Sequence, residues 1–315
     1  MQGFIVDTRS GESVREMRTV ALSIESSEPN QSPPATATPN DPRVQRLASA
    51  PSVGKDEGMP RHLDTDVALR ADDLSLARSG VRVIDGITFT LPTAETLIVQ
   101  GATGSGKTSL VSLLAGHPDD GLTVVGGDAR VHGISARRPG RARREWVFHT
   151  GYLPQGAGAA LPSRLTVQDV IAEPITSRDR KVNTRALAVR VATLLDEMEL
   201  PLGTAPKYPY ELSAGMRQRV ALARALVLEP RLFVADDLYA NLDLEVRAAA
   251  RASITRRRDE RGMASLIVTN DADAPKDLDA DVLVLHAGHA IGLGHGDEAL
   301  QWTPDGTPER RISAG

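Results

Sequence analysis

Gly101-Ala102-Thr103-Gly104-Ser105-Gly106-Lys107-Thr108 satisfies the phosphate-loop spacing G-x-x-x-x-G-K-[ST] at every required position. Its flanks supply the context that motif needs. Thr96-Leu97-Ile98-Val99-Gln100 is short, apolar and rich in β-formers, and Ser109-Leu110-Val111-Ser112-Leu113-Leu114-Ala115 reads as the opening of a helix. Three glycines let the backbone curl so that successive N–H groups point inward at phosphate oxygens, and the new helix adds its positive end. Gly101, Ala102, Thr103, Gly104, Ser105, Gly106 and Ser109 are therefore the candidate backbone phosphate ligands. Lys107 is expected to reach the β- and γ-phosphates, and Thr108 to give its hydroxyl to Mg²⁺.

The composition around this loop is that of a globular chain, with 41% hydrophobic and 25% charged residues in a length of 315. No stretch approaches the ~20 apolar residues that a spanning helix needs. A net charge of -4 gives no general pull toward nucleic acid or anionic lipid. Without cysteine, disulfides and thiolate metal sites are excluded, which agrees with a reducing compartment.

Residues 1–62 include the Pro/Ser/Thr-rich run from Ser26 to Pro39 and read either as a disordered tail or as sequence ahead of a start at Met59. From Val67 come short β-type runs, Val67–Leu69, Leu74–Leu76 and Ile87–Leu91, separated by turn residues at Arg78-Ser79-Gly80 and Asp85-Gly86. These predict an antiparallel sheet leading into the loop strand. Arg137, Arg138, Arg141, Arg143 and Arg144 have no interleaved aromatics to stack bases, so they read as a solvated basic segment and no nucleic-acid partner is expected. A strand ends at Gly151-Tyr152-Leu153-Pro154-Gln155, and helical spacing resumes at Thr166. Leu187, Val191, Leu194, Leu195 and Met198 form one apolar helix face, with Thr184 as its expected cap and Pro201 as its stop. A further helix is expected from Ala221 to Leu228, then strands at Leu232–Asp237, Ala264–Thr269 and Val282–His286. The first of these is apolar enough to be covered on both faces and ends in two carboxylates.

Taken together, the loop, Gln155, Leu212-Ser213-Ala214-Gly215-Met216-Arg217-Gln218-Arg219 and Asp236-Asp237 resemble the ATP-binding subunits of ABC transporters. Leu165–Pro174 and Tyr208–Ser213 are most similar to the dipeptide, oligopeptide and nickel importer group. The resemblance implies an α/β P-loop NTPase core, a mostly parallel sheet with flanking helices, joined to an antiparallel β subdomain and an α-helical signature subdomain. It spans 63–300, with the helical subdomain at about 156–225 and a flexible tail over 301–315. It implies ATP and Mg²⁺ as ligands, with Thr108, Gln155 and Asp236 at the metal. Ser213 and Gly215 would face the γ-phosphate held by a second subunit, although Ser213 also reads as a plain helix N-cap.

This chain departs from that family's pattern at the chemical step. Asp237 stands where a catalytic Glu is usual, which leaves the carboxylate about 1.5 Å short of the attacking water. Asn270 stands where a switch His is usual, and an amide cannot acquire the positive charge an imidazole can. Ala214 and Met216 depart within the signature, and Arg78 lies near where an aromatic residue would stack on adenine. With Asp237, Asn270 and Gln155 as candidate catalytic residues, the expectation is a peripheral subunit on the cytoplasmic membrane face, an ATPase with a weakened site. Its expected partners are a second ATP-binding subunit, in a heterodimer rather than a homodimer, the permease subunits and, indirectly, a solute-binding protein. The alternative is a soluble ABC-type switch or scaffold in a non-transport complex.

Overall fold

The computed structural model describes residues 66–179, 181–239 and 242–295, together with the strand residues 301–302. Of the segments read as tails, 1–62 and 301–315, all but residues 301–302 lie outside the described residues. Two sheets organise what is described. The first is antiparallel, in the order β2-β1-β4-β5, from β1 (Val67–Arg78), β2 (Val81–Pro92), β4 (Leu122–Val131) and β5 (Ile134–Ser135). The second runs β11-β10-β9-β3-β8-β7-β6. Its parallel part is β9 (Asp281–His286), β3 (Thr96–Gly101), β8 (Ala264–Val268), β7 (Leu232–Asp236) and β6 (Thr150–Leu153). β10 (His289–His295) and β11 (Gln301–Trp302) extend one edge in antiparallel pairing.

Alternation along the parallel strands divides the core in two. Leu97 and Val99 of β3, Leu232 and Val234 of β7, and Leu266 of β8 pack with the antiparallel sheet and with α1 (Lys107–Leu114). The intervening Ile98, Phe233, Ala235 and Ile267 face the opposite way. They pack with α3 (Val167–Thr176), α4 (Thr184–Glu197), α5 (Ala214–Leu226) and α6 (Leu244–Arg261). A sheet buried on both faces needs near-continuous apolar strands, and β7 and β8 are buried at all five positions. Two short helices, α2 (Arg143–His149) and α7 (Ala274–Asp277), complete the set. No helix among the described residues is long and apolar enough to cross a membrane.

Several local expectations are corrected. Asp85-Gly86 is not a turn: β2 runs through it, and the β1–β2 register shifts there, with Leu74 opposite Ile87 but Leu76 opposite Ile84. Gly86, at φ +62, takes up the bulge. α5 begins at Ala214, seven residues before the helix read from Ala221 and at the expected Ser213 N-cap, its hydroxyl accepting the Met216 N–H. α4 is capped by Asn183, which accepts from the N–H groups of Arg185 and Ala186, and it ends at Glu197, before Pro201. β11 carries sheet pairing two residues into the stretch read as a tail. The five arginines from Arg137 to Arg144 are exposed, as a solvated segment requires.

α6 had a readable signal that its charge obscures. Asp243 caps it, Gly262 ends it at φ +67, and Val246, Ala250 and Ile254 recur every fourth residue as its buried stripe.

Just past β4, burial holds His132 down to about 4, with His149 and Arg231 adding to the effect. Its unfolded imidazole titrates near 6.5. Stability is therefore present above that pH and is lost as the pH falls toward 4, where only the unfolded chain takes up the proton. Asn tolerates the backbone φ of 50 at this position. His132→Asn is expected to flatten the loss of stability between these pH values in urea melts, and an unchanged acid limb would refute this role for His132.

Candidate functional site

Four neighbouring parallel strands end at one place, and each delivers part of the site. In sheet order, β3 ends at Gly101, β8 leads to Thr269 and Asn270, β7 ends at Asp236, and β6 leads to Gln155. The loop between β3 and α1 lines a cleft of about 750 Å³ together with Gln155, Asp236, Asp237 and Asn270. Ligands bind at the carboxyl ends of strands in such sheets.

Gly106 starts α1 at φ +98 with no side-chain cap, so the first helical N–H groups have no side-chain acceptor. A Cβ there would lie 2.6 Å from the Val83 carbonyl oxygen and from Ile84 Cδ1. β2 therefore supports the loop from behind. Lys107 folds over the loop, its Nζ donating to the carbonyls of Gly101 (2.7 Å) and Ala102 (2.8 Å) and to Ser105 Oγ (3.4 Å). Burial lowers its pKa, and Asp236 opposes that shift.

Asp236 is 3% exposed, and its Oδ2 has no hydrogen-bond partner. Burial raises its pKa and the neighbouring Asp237 adds to the rise, while a hydrogen bond from Thr108 and the charge of Lys107 act against it. Asp237 takes a left-handed φ of 63 and donates its N–H to the Val268 carbonyl at 3.0 Å. Asn270 Oδ1 accepts the Gly101 N–H at 3.4 Å, which ties the end of β8 to the start of the loop.

A buried carboxylate oxygen without a partner, beside a hydroxyl, suits a hard cation with oxygen ligands. Among the described residues, no cluster of three or more His, Cys, Asp or Glu could hold a metal. Magnesium requires none, since it keeps waters and phosphate oxygens beside one or two carboxylates. The residues present therefore fit a magnesium–polyphosphate ligand.

Ser213 and Gly215 do not line this cleft. Ser213 is exposed at the start of α5, where its hydroxyl caps the helix. Tyr239, Arg247 and Asp271 do line it, and no motif pointed to them. Arg247 bonds Asp271 at 2.7 Å and the Leu242 carbonyl at 3.1 Å, and lies 5.5 Å over the Tyr239 ring. Tyr239 follows β7, Asp271 follows β8 and Arg247 lies in the first turn of α6, so tertiary packing alone brings the three to the cleft.

The fold and the cleft define a nucleotide-binding cassette. Residues 84–240 match the ABC transporter family. The chain is 30% identical over 251 residues to a putative peptide import ATP-binding protein of Brucella abortus, covering 76% of this chain and 72% of that one. It is 34% identical over 224 residues to the oligopeptide transport ATP-binding protein OppD of Mycobacterium tuberculosis, covering 70% of this chain but 35% of OppD. This chain thus spans about a third of OppD's length. The dimeric post-hydrolysis structure of an ATP-binding cassette bound to ADP and Pi superposes with a TM-score of 0.66 at 19% identity, covering 72% of this chain and 98% of that one. The chain belongs to the ABC transporter ATP-binding family.

Two of the three loop glycines, Gly104 and Gly106, separate strain from crowding. At Gly104, φ +82, a Cβ would meet nothing within 4 Å, whereas at Gly106 it meets backbone. Without nucleotide, Gly104→Ala is expected to cost about 1 kcal/mol of unfolding free energy. Gly106→Ala is expected to cost about 2 kcal/mol more. Equal urea midpoints for the two variants would count against the support from β2.

Proposed function

We propose that this chain is the ATP-binding subunit of an ABC importer for peptides or a similar small solute, acting with permease subunits on the cytoplasmic face of a membrane. The observation that carries the reading is the convergence of Lys107, Thr108, Asp236 and Asn270 on one cleft. The peptide-import relatives support the solute class.

The loop N–H groups would take the phosphate oxygens, and Lys107 would exchange the carbonyls of Gly101 and Ala102 for the β- and γ-phosphates. Magnesium, held by Asp236 and Thr108 with Gln155 close by, would offset the charge on the phosphates. Asp237 would orient the attacking water and accept its proton. Its side chain is one methylene shorter than the usual Glu and would reach less far toward that water. Asn270 can offer its Nδ2 to the terminal phosphate, because Oδ1 already takes the Gly101 N–H. Its neutral amide supplies no charge there.

Because Ser213 is exposed, Gly215 is half-buried and both lie outside their own cleft, they are available to close a site on a facing subunit. The weak groups, Asp237 and Asn270, belong to one composite site and this signature to the other. Pairing with a different ATP-binding subunit, rather than with a copy of itself, gives one competent site.

Calorimetry on the folded chain is expected to show MgATP binding that Lys107→Ala abolishes with an unchanged circular dichroism spectrum. Asp237→Glu is expected to raise turnover about 10- to 100-fold. Absence of binding to the folded wild type sinks the nucleotide reading, and full activity of the unpaired wild type sinks the weakened site alone.

A further inference from the structure

We infer that the arginine-rich outer face of α2, together with the exposed ring of Phe148, binds the anionic phospholipid headgroups of a membrane. The inference rests on the membrane placement proposed above and names the surface that makes the contact. Trp146 anchors α2 from within: it is 2% exposed, and its Nε1 donates to the Leu114 carbonyl at 3.0 Å. The Thr150 hydroxyl donates to the Trp146 carbonyl at 2.9 Å and holds the end of the helix. Arg143 also serves the anchorage, its Nε and Nη2 donating to the Gly116 carbonyl at 3.2 and 2.8 Å. Residues two positions apart lie on nearly opposite sides of an α-helix. Arg144 and Phe148 each stand two positions from Trp146, so both point away from the core, and both are exposed.

Positive charge gathers on that side. Arg141 precedes α2 in the 3₁₀ turn Gly140–Ala142, Arg137 and Arg138 lie in the segment before it, and all three are exposed. Arg178, just past α3, sets its guanidinium 6.0 Å from the centre of the Phe148 ring. Among the described residues, none of these five guanidiniums forms an ion pair with a carboxylate. The acids nearby are otherwise engaged. Glu145 acts on His149, Asp128 accepts from the N–H groups of Ala129 and Arg137 and from the Ser135 hydroxyl, and Asp179 accepts the Lys181 N–H. Beside this surface, burial lowers the His117 pKa, and the charges that lower it further are the cations Arg143, Arg178 and Arg224.

The net charge of -4 draws the chain as a whole to no anionic surface, so the attraction is local to this face. A cluster of about four or more basic residues on an amphipathic helix is the pattern that recruits anionic headgroups. Each guanidinium near such a surface raises partitioning about fivefold, and its planar fork matches a phosphate. Phe148, 42% exposed, adds apolar area of the kind that enters the headgroup boundary. Nucleic acid is the poorer fit, because Phe148 is a single ring and Arg178 already lies over it.

Sedimentation of the full chain with vesicles tests this, comparing phosphatidylcholine alone with phosphatidylcholine containing about one part in three of phosphatidylglycerol. Wild type is expected to partition about 100-fold more strongly onto the anionic vesicles, and to lose most of that preference between about 0.1 and 1 M salt. Arg141→Gln combined with Arg144→Gln is expected to weaken anionic binding about 25-fold. Phe148→Ser is expected to weaken it about fivefold without changing the salt dependence. None of these residues lines the nucleotide cleft, so MgATP affinity, measured by calorimetry on the same samples, should stay at the wild-type value. Circular dichroism checks that each variant is folded. Wild type that binds MgATP but ignores anionic vesicles overturns the proposal, assigns the face to an acidic protein surface instead, and leaves the nucleotide reading intact. Equal binding to neutral and anionic vesicles, or wild-type vesicle binding by the double variant, overturns it too. A folded wild type that binds neither MgATP nor vesicles overturns the underlying reading as well.

Discussion

The parallel hydrogen bonding of β3, β8, β7 and β6 is the constraint on which the rest of the structure depends. Val99 pairs with Val268, and Val268 pairs with Asp236, so the ends of three strands are level with one another. A slip of one residue between β7 and β8 would turn Phe233 from the helical side to the sheet side and carry Asp236 out of line with the loop. Alternating burial opposes that slip, since Phe233 and Val234 are fully buried on opposite faces. Apolar packing far from the cleft thereby sets positions inside it.

Burial also sets the electrostatics of the cleft. The Asp236 carboxylate and the Lys107 ammonium are both pushed toward neutrality by desolvation, and each partly offsets the shift of the other. The Thr108 hydroxyl gives Asp236 one hydrogen bond, and Oδ2 is left without a partner. An unpartnered buried oxygen destabilises a chain unless a ligand uses it. Here it stands beside a helix start whose first N–H groups lack side-chain acceptors, so a donor surface and an acceptor surface face the same space.

Cations in the cleft are arranged by different partners. Lys107 is held by backbone carbonyls of its own loop, Arg78 by Asp119 and Ser109, and Arg247 by Asp271, the Leu242 carbonyl and the Tyr239 ring. A carbonyl-held ammonium can exchange its neutral acceptors for phosphate oxygens at little cost. The paired guanidiniums are already charge-compensated and keep their geometry. This difference in partner leaves Lys107 free to change acceptors, while Arg78 and Arg247 stay where their carboxylates hold them.

The sequence alone determined the phosphate loop, because its chemistry is local: glycine spacing, an apolar strand before it and a helix after it specify the turn without distant contacts. The apolar run ending in Asp236-Asp237 was legible for the same reason, as were the family resemblance and the departures at Asp237 and Asn270. The β2 bulge at Gly86 was set by cross-strand register, which leaves no periodic trace, whereas the start of α5 was legible in the Ser213 cap but not in the apolar periodicity. Only the tertiary structure decided that Tyr239, Arg247 and Asp271 enter the cleft and that Arg78 is clamped by Asp119. Contacts at the cleft join residues as far as 169 positions apart, as Gly101 and Asn270 are. Such distances are closed by sheet pairing and helix packing, which act through burial summed over many residues and leave no motif at any one of them.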